Sequence, residues 1–528
     1  MFAHMSRLKR ISLLVLLLAP AETAFASQQA PIIPETAPGG ANNQTTLERD
    51  ALRPAKGRIM LDYEVIPVPG NETLDLLGAH YLHQMNPWLY MGVGLHAPLV
   101  NGNYGGFMAF DATLHAQRRI FGNSFIDAGV ALGGGGGSSS ISLSPIISGT
   151  GKFVKSYIGL GYDFRSFSAG VNYSNVRFID SLIDHSQLDF FFQKPVSYSI
   201  GSYAYSGRHT GSDFSLTGVG ETILAAEFNN IFQLKPTGSN TNTINSLSLQ
   251  FSHFLNRNHY LFFGLEVGYQ GLPLYNQAVG GIGYRYSMSP RINVYSQIGV
   301  GSGGYAQAEI DTGPGLLVYP KLSAEYLLNK TLGVSLSTGY LVAPSGTSKN
   351  VTLGAALNYH LSTNDRNRPG TGSATDRIFR GFRLNMFQQT EFNVQVGSSA
   401  HHDINLLSTQ WDNILSDHWY FPIQASVAIN DFLGYPGYGE LLAGLGVQNK
   451  FVTTSRFQNF FQVLIGTNIN NILLKASVGV NYSLTDNLAL YGQLGKTVSL
   501  NQWTQYAYDM RVNSDSVGLG LTYRFSLP

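Results

Sequence analysis

Three short segments of the sequence carry residue types that perform chemistry in other proteins. Residues 133–137 are five consecutive glycines followed by serines, which superficially resembles a phosphate-binding loop. Such a loop needs a Lys-Ser or Lys-Thr pair and a helix directly after it, and neither follows here. We therefore interpret the glycine run as a flexible outer loop that closes a strand.

A second segment, His401-His402-Asp403, groups three side chains that can coordinate a metal. Imidazole suits zinc, but a cluster of this kind in a connecting segment is usually a solvated loop. The segment therefore does not define a metal site.

The third segment, Asp184-His185-Ser186, holds the residue types of a hydrolase triad. In a strand, successive side chains point to opposite faces, so these three cannot meet. Aromatic residues in connecting segments could instead bind sugars or a partner: Tyr269, Tyr275, Tyr435, Tyr438, Trp503, Tyr506 and Tyr508. We expect no enzyme and assign no catalytic, cofactor-binding or metal-binding residue.

The N-terminus of the sequence indicates the compartment to which the protein is exported. Basic residues within positions 7–10 precede an apolar run over residues 11–19, and Ala24-Phe25-Ala26 forms a small-x-small cleavage site. The run is too short for a membrane-spanning helix, which needs roughly 20 apolar residues, and no later segment is long enough. Residues 1–26 are predicted to be a cleavable signal peptide.

The composition is unusual for a soluble protein of this size. Charged residues make up only 12% of the chain, as do aromatic residues, whereas soluble domains carry about 25% charged residues. Cysteine is absent, which excludes disulfides and thiolate metal sites. The formal net charge is +1 with no basic stripe, so we expect no nucleic-acid partner.

From residue 57 onward the sequence alternates between apolar and small or polar residues. The apolar members of one such segment are Leu89, Met91, Val93 and Leu95, and those of another are Leu261, Phe263, Leu265 and Val267. A period of two is the signature of a β-strand, and strands of about ten residues with one apolar face are typical of membrane barrels. The predicted fold class is all-β, a transmembrane antiparallel β-barrel.

The strands recur in three groups of eight, which gives about 24 strands, and such a repeat determines the whole fold. In the sixth strand of each group, one face carries two aliphatic residues and then Tyr162, Tyr326 or Tyr482. Tyrosine at that position fits an aromatic girdle at the lipid headgroups. The predicted organisation is a signal peptide (1–26), a periplasmic N-terminal tail (27–56), β-barrel repeats (57–199, 220–362 and 380–528) and linkers (200–219 and 363–379).

The lengths of the connections predict an orientation. Those at 85–87, 289–291 and 485–487 are short, whereas those at 133–152, 301–315 and 501–514 are longer and rich in Gly, Ser and Asn. Membrane barrels have short periplasmic turns and long extracellular loops. Both ends of every repeat are therefore predicted to lie in the periplasm.

At this level the chain resembles the outer-membrane β-barrel proteins of Gram-negative bacteria, and each repeat resembles a small eight-stranded barrel. Such barrels end in a strand with glycine early and alternating aromatic residues late. The third repeat ends Gly518-Leu519-Gly520-Leu521-Thr522-Tyr523-Arg524-Phe525, although Ser526-Leu527-Pro528 still follow. The resemblance implies an outer-membrane location, contact with lipid and lipopolysaccharide, and recognition of the C-terminal strand by the barrel-insertion machinery.

Two architectures fit three groups of eight strands: one 24-strand barrel with a wide lumen, or three small barrels filled by side chains. Residues 363–379 are longer than the tight turn that neighbouring strands need. The inward positions also mix both signs of charge, which can pair in a narrow interior. These positions are Asp111, Lys155 and Asp163, then Glu266, Arg285, Lys321 and Glu325, then Glu440 and Lys475. Three small barrels are favoured.

The predicted function is that of a membrane-anchored structural or surface-binding protein with long extracellular loops. The alternative is a wide single-barrel porin or export conduit for small solutes or a secreted polymer. A more remote alternative is a lipid-modifying hydrolase at the barrel rim. The sequence does not identify a surface ligand, a solute or a partner protein.

Overall fold

The protein consists of β-strands joined by turns and loops. The computed structural model describes residues 52–68, 72–137, 151–179, 181–208, 221–237, 243–272, 275–304, 310–329, 331–362, 379–394, 402–429, 438–468, 471–502 and 511–527. The predicted signal peptide lies outside these residues, as does nearly all of the predicted tail. Within the described part of the chain, no helix is long and apolar enough to cross a membrane.

The strands form three consecutive groups. Barrel 1 contains β1 (Leu52–Val68), β2 (Glu72–Gln84), β3 (Leu89–Ala97), β4 (Met108–Phe121), β5 (Ser124–Gly136), β6 (Lys152–Asp163), β7 (Ser168–Phe178) and β8 (Asp184–Gly201). Barrel 2 contains β9 (Thr222–Gln233), β10 (Ile244–Phe254), β11 (His259–Gln270), β12 (Asn276–Ser287), β13 (Ile292–Gly304), β14 (Leu316–Leu327), β15 (Leu332–Val342) and β16 (Lys349–Ser362). Barrel 3 contains β17 (Arg380–Val394), β18 (His402–Ile414), β19 (Trp419–Ala428), β20 (Gly439–Gln448), β21 (Phe457–Thr467), β22 (Asn471–Ser483), β23 (Leu488–Gln502) and β24 (Asn513–Leu527).

Each group closes on itself, because its first and last strands pair antiparallel. β1 pairs with β8, β9 with β16 and β17 with β24. The prediction of three eight-strand barrels is confirmed, and the alternative of one 24-strand barrel is wrong. β1 begins at Leu52, so residues 52–56, which we assigned to the tail, belong to the first strand. β8 continues to Gly201, and a short 3-10 helix, Tyr203–Tyr205, begins the connection to barrel 2.

One turn type recurs at the rim that carries the short connections. Between β2 and β3, the Met85 N–H donates to the Leu89 carbonyl at 2.9 Å, and Asn86 Oδ1 accepts from the Leu89 N–H at 2.9 Å. The side chain satisfies a backbone donor that the tight turn would otherwise leave unpaired. The same i to i+3 contact is made by Asn256, Ser289, Asn329, Ser416 and Thr485.

The connections at the opposite rim differ in length. Residues 137–151 connect β5 to β6 and residues 98–107 connect β3 to β4, but only residues 69–71 separate β1 from β2. The predicted pattern of long loops therefore applies to some connections at this rim and not to all of them.

The three barrels contact one another in pairs. The Gly105 N–H of barrel 1 donates to the Gly313 carbonyl of barrel 2 at 3.2 Å. Arg380 of barrel 3 donates from Nη1 to Tyr359 Oη of barrel 2 at 2.8 Å. Barrels 1 and 3 are joined directly by a backbone bridge between β8 and β24. An apolar cluster contains residues of all three barrels: Ala55, Ile200, Leu224, Tyr359, Phe382, Trp411, Tyr523, Phe525 and Leu527.

The glycine run explains one close approach between barrels. Residues 133–136 lie within β5, so our interpretation of the run as an outer loop is wrong for these residues. A Cβ atom at Gly134 would lie 2.5 Å from the Ala428 carbonyl oxygen of barrel 3. Real side chains do not tolerate such a distance, so the run lets the two barrel walls touch.

The first predicted linker (200–219) contains a residue that covers one end of barrel 3. The Tyr203 ring lies 4.2 Å from the Arg524 guanidinium, and its hydroxyl donates to the Thr453 carbonyl at 3.2 Å. Tyr203 also packs in an apolar cluster with Phe451. A residue that follows barrel 1 in the sequence therefore covers the short-turn end of barrel 3.

Candidate functional site

The outer walls of the barrels form an apolar surface. Phe190, Leu336 and Leu519, one from each barrel, expose 68%, 71% and 67% of their surface. Water-soluble proteins rarely expose apolar patches of this extent, whereas lipid-facing walls require them. At the short-turn rim, Tyr326 Oη and Tyr482 Oη accept hydrogen bonds from nearby arginines at 3.3 and 3.4 Å. This arrangement fits the predicted aromatic girdle.

The interior of barrel 2 contains a chain of ion pairs. Arg285 Nη1 lies 2.6 Å from Glu221 Oε2, and His360 contacts Glu221 at 3.0 Å and Glu325 at 2.9 Å. Lys321 Nζ donates to Glu227. Glu221 precedes β9; burial alone raises the pKa of its carboxyl, but the contacts with His360 and Arg285 hold that pKa below its usual value.

The interior of barrel 3 is organised around one arginine. Arg383 Nε donates to Asp412 Oδ2 at 2.6 Å, and its Nη1 donates to Gln448 and Gln458 at 2.9 Å each. The guanidinium also lies 4.5 Å from the centre of the Tyr420 ring. Buried charges are tolerated when they are paired and hydrogen-bonded, and this arginine meets both conditions.

Hydrogen bonds join strands that are not neighbours, so side chains cross each interior. Lys155 on β6 reaches Asp62 on β1 at 2.6 Å. Lys321 on β14 reaches Glu227 on β9. Arg383 on β17 reaches Gln458 on β21, the strand directly opposite in an eight-strand barrel. All three interiors therefore contain large polar side chains in contact with one another.

Most of the charges predicted to point inward are buried, namely Asp111, Lys155, Glu266, Arg285, Lys321, Glu325, Glu440 and Lys475. Asp163 is the exception: it lies at the end of β6 and pairs at 2.8 Å with the exposed Arg119. The partners of these charges also differ from the pairs expected among the inward charges. Lys475 Nζ, for example, lies 2.5 Å from Gln389 Oε1.

Two of the aromatic residues predicted in outer loops are buried instead. Tyr275 and Tyr438 stand immediately before β12 and β20 and donate hydrogen bonds to Gln277 and Glu440 at 2.7 and 2.8 Å. Burial, together with the nearby charge of Glu440, holds the pKa of the Tyr438 phenol well above its usual value, so the hydroxyl stays protonated. Tyr269 lies in β11 and is half-buried. Tyr435, Trp503, Tyr506 and Tyr508 lie outside the described residues.

The remaining chemical motifs are not assembled into sites. His185 Nδ1 lies 3.0 Å from Gln187 Oε1, whereas Asp184 and Ser186, on the other face of β8, accept hydrogen bonds from Asn175 of the neighbouring strand β7. His402 and Asp403 are both exposed at the start of β18, and His401 lies outside the described residues.

Barrel 1 brings together buried groups that the sequence analysis did not identify. Asp62, His80 and His96 lie on β1, β2 and β3, and one potential ligand atom from each lies within 4.8 Å of the other two. Lys155 Nζ contacts Asp62 at 2.6 Å and Glu64 at 3.2 Å on one side of this group. The only sequence signal for this cluster is that the alternating pattern places each of the three residues on an inward face. Their meeting depends on strand register, which a single sequence does not supply.

The similarity of this chain to known proteins is confined to solved structures. No protein-family model matches the sequence, and a search of curated proteins finds no match. Among solved structures, the Neisserial surface protein A is 14% identical over 28% of this chain and 97% of its own, with a TM-score of 0.21. OpdQ of Pseudomonas aeruginosa is 10% identical over 90% and 99% (TM-score 0.20), and its siderophore receptor PirA is 9% identical over 89% and 80% (TM-score 0.26). All three are outer-membrane β-barrel proteins.

Proposed function

We propose that the protein is a non-conducting anchor of the outer membrane, which holds the loops of three barrels at the cell surface as a structural or binding platform. The observation that carries this proposal is the set of hydrogen bonds across the interiors, such as Lys155 to Asp62 and Arg383 to Gln458. Three closed barrels also leave no wide shared lumen for an export conduit. The proposal involves no enzymatic step.

Conductance in planar bilayers tests the absence of a pore. The full chain would be refolded, its folding verified by a heat-modifiable gel shift, and a known porin used as the positive control. We expect no stable unitary openings, because charged and amide side chains meet across each barrel. Stable openings from protein shown to be folded would contradict the proposal.

Insertion of an epitope tests the display of loops. A tag placed between Gly137 and Gly151, in the long connection from β5 to β6, is expected to bind antibody on intact cells. The matched control carries the tag at Gly122, in the opposite turn, where a Cβ atom would meet no atom within 4 Å. The control is expected to bind only after permeabilisation. Equal labelling of both on intact cells, or the reverse pattern, would refute the proposed orientation.

The route to the membrane is part of the same proposal. The basic and apolar start of the chain supports cleavage after Ala26, so mass spectrometry of the membrane-bound protein should give a chain that begins at Ser27. Recognition of β24 by the insertion machinery predicts that depletion of the machinery leaves the chain unfolded in the periplasm. Normal assembly in depleted cells would exclude that partner.

A further inference from the structure

The cluster in barrel 1 is built by cross-strand register. Asp62 on β1 is directly opposite Gly78 on β2, and Gly78 in turn is opposite His96 on β3. His80 lies two residues after Gly78 and therefore points to the same face. The three side chains are fully or almost fully buried inside the barrel.

Each of the three side chains has a buried polar atom without a hydrogen-bond partner among the described residues. The atoms are Asp62 Oδ1, His80 Nε2 and His96 Nδ1. His80 Nε2 lies 3.5 Å from Asp62 Oδ2, which is longer than an ordinary N–H···O hydrogen bond. Leaving one buried polar group unpaired costs about 1–3 kcal/mol, so three in one cluster require an explanation. The contrast with barrel 2 is direct, because there both ring nitrogens of His360 are bonded to glutamates.

With both rings neutral, the surrounding contacts select the tautomers that place a lone pair on the unpaired nitrogen of each histidine. Asp111 Oδ2 lies 2.9 Å from His96 Nε2 and accepts its proton, which leaves Nδ1 as the lone-pair nitrogen of His96. Thr113 donates its hydroxyl hydrogen to Asp111, so its oxygen can accept from His80 Nδ1 at 3.3 Å, which leaves Nε2 as the lone-pair nitrogen of His80. Carboxylates that orient a ligating histidine in this way are typical of the second shell of metal sites.

A glycine supplies space at the centre of the cluster. A Cβ atom on Gly78 would lie 1.8 Å from Asp62 Oδ1 and 2.9 Å from His80 Nε2, so both unpaired atoms converge over this residue. The other oxygen of Asp62 is occupied by Lys155 Nζ at 2.6 Å. Asp62 Oδ1, opposite the lysine contact, thus remains available as a ligand.

From this geometry we infer that Asp62, His80 and His96 bind one divalent first-row transition metal ion, of which Zn²⁺ is the natural probe. Two imidazoles and one carboxylate suit such ions. At metal–ligand distances of about 2.1 Å, tetrahedral ligand atoms are about 3.4 Å apart. The ligand atoms now lie within 4.8 Å of one another, so metal binding requires them to approach by up to about 1.4 Å. The ion ties β1, β2 and β3 together inside the barrel.

The test uses untagged full chain, because a histidine tag would bind the same ions. The protein is refolded in detergent with Zn²⁺, dialysed, and analysed for bound zinc by mass spectrometry; Co²⁺ in place of Zn²⁺ gives a visible absorption band that reports its coordination. We expect one equivalent of zinc in the wild type. His80→Gln and His96→Gln should each reduce binding at least tenfold.

The matched control is His115→Gln in the same barrel. His115 is equally buried, but its ring nitrogens lie 2.8 Å from Tyr157 Oη and 3.4 Å from Gln117 Oε1, so the variant should keep the full equivalent of zinc. Asp62→Asn provides a second variant if either histidine variant fails to show the gel shift of folded protein. Folded wild type without zinc would overturn the inference, as would folded variants with undiminished zinc. If His80 is instead protonated and paired with the Asp62 carboxylate, the wild type will fold without zinc, which is the first of these results. The outcome is independent of the conductance experiment.

Discussion

The ion pair between Arg383 and Asp412 allows a quantitative test of how the barrels are filled. Arg383 is 1% exposed and donates three hydrogen bonds, one of them to Asp412 at 2.6 Å. In Arg383→Met the Asp412 carboxylate keeps only the amide donors of Asn385 and Gln410, at 2.9 and 2.7 Å. A buried charge left without its counter-ion costs about 3–5 kcal/mol.

The double variant Arg383→Met/Asp412→Asn removes both charges. What remains is the loss of three ordinary hydrogen bonds at about 1 kcal/mol each, which burial of the methionine side chain reduces to about 1–2 kcal/mol in total. We therefore expect the double variant to recover about 2–3 kcal/mol relative to Arg383→Met, which is the difference between the two costs. Adding the single variant Asp412→Asn completes a double-mutant cycle, which gives the coupling energy between the two residues.

The assay is urea unfolding in detergent, followed by tryptophan fluorescence. A chain of three barrels does not unfold as a single two-state system. The assay therefore needs a probe that reports on barrel 3. Three of the four tryptophans lie in residues 380–528 and none lies in residues 220–362. Trp88, in barrel 1, is replaced by phenylalanine in every variant, so that the fluorescence reports on barrel 3. If Arg383→Met unfolds within 1 kcal/mol of the wild type, or if the double variant is no more stable than the single one, the interior is hydrated and our reasoning fails.

Three further predictions concern other parts of the fold. Gly134→Leu should weaken the contact of barrels 1 and 3, because the new side chain would overlap the Ala428 carbonyl; a fall in the temperature of the gel shift measures this, and no change would refute it. Tyr203→Ala should lower the stability of barrel 3 by about 3 kcal/mol, since it uncovers Arg524, and the fluorescence assay reports it. Glu221→Gln should destabilise barrel 2, and the full difference from wild type is expected above pH 4.5, the ordinary pKa of a glutamate carboxyl. Because folding lowers the pKa of Glu221, that difference should vanish as the pH falls through the lowered pKa of the folded state. A difference that persists in acid would contradict the ion-pair account.

The alternating pattern of the sequence predicted the fold class and the inward charges well. Lys155 and Lys475 were placed correctly, because the side-chain period of a strand is two and one face must meet lipid. Their acceptors Asp62 and Gln389 were not predicted, since contacts across a barrel depend on the register and curvature of several strands at once. Tyr275 was misplaced for a related reason: it precedes a strand, where alternation no longer applies.

The metal cluster shows the same limit. Asp62, His80 and His96 are dispersed over three strands, and the sequence offered a more compact candidate at residues 401–403. Clustering in sequence is informative for helices and loops, where neighbours in the chain are neighbours in space. In a barrel, the groups that meet are those at one height on different strands.

The bridge between β8 and β24 joins the ends of barrels 1 and 3. The last strand of barrel 1 meets the last strand of barrel 3 at Gly201 and Ser526, and Tyr203 covers the end of barrel 3. Because barrel 2 also contacts both of the others, each barrel packs against two neighbours rather than in a linear row. A chain whose first barrel does not fold therefore leaves Arg524 of barrel 3 without the aromatic ring of Tyr203 that covers it.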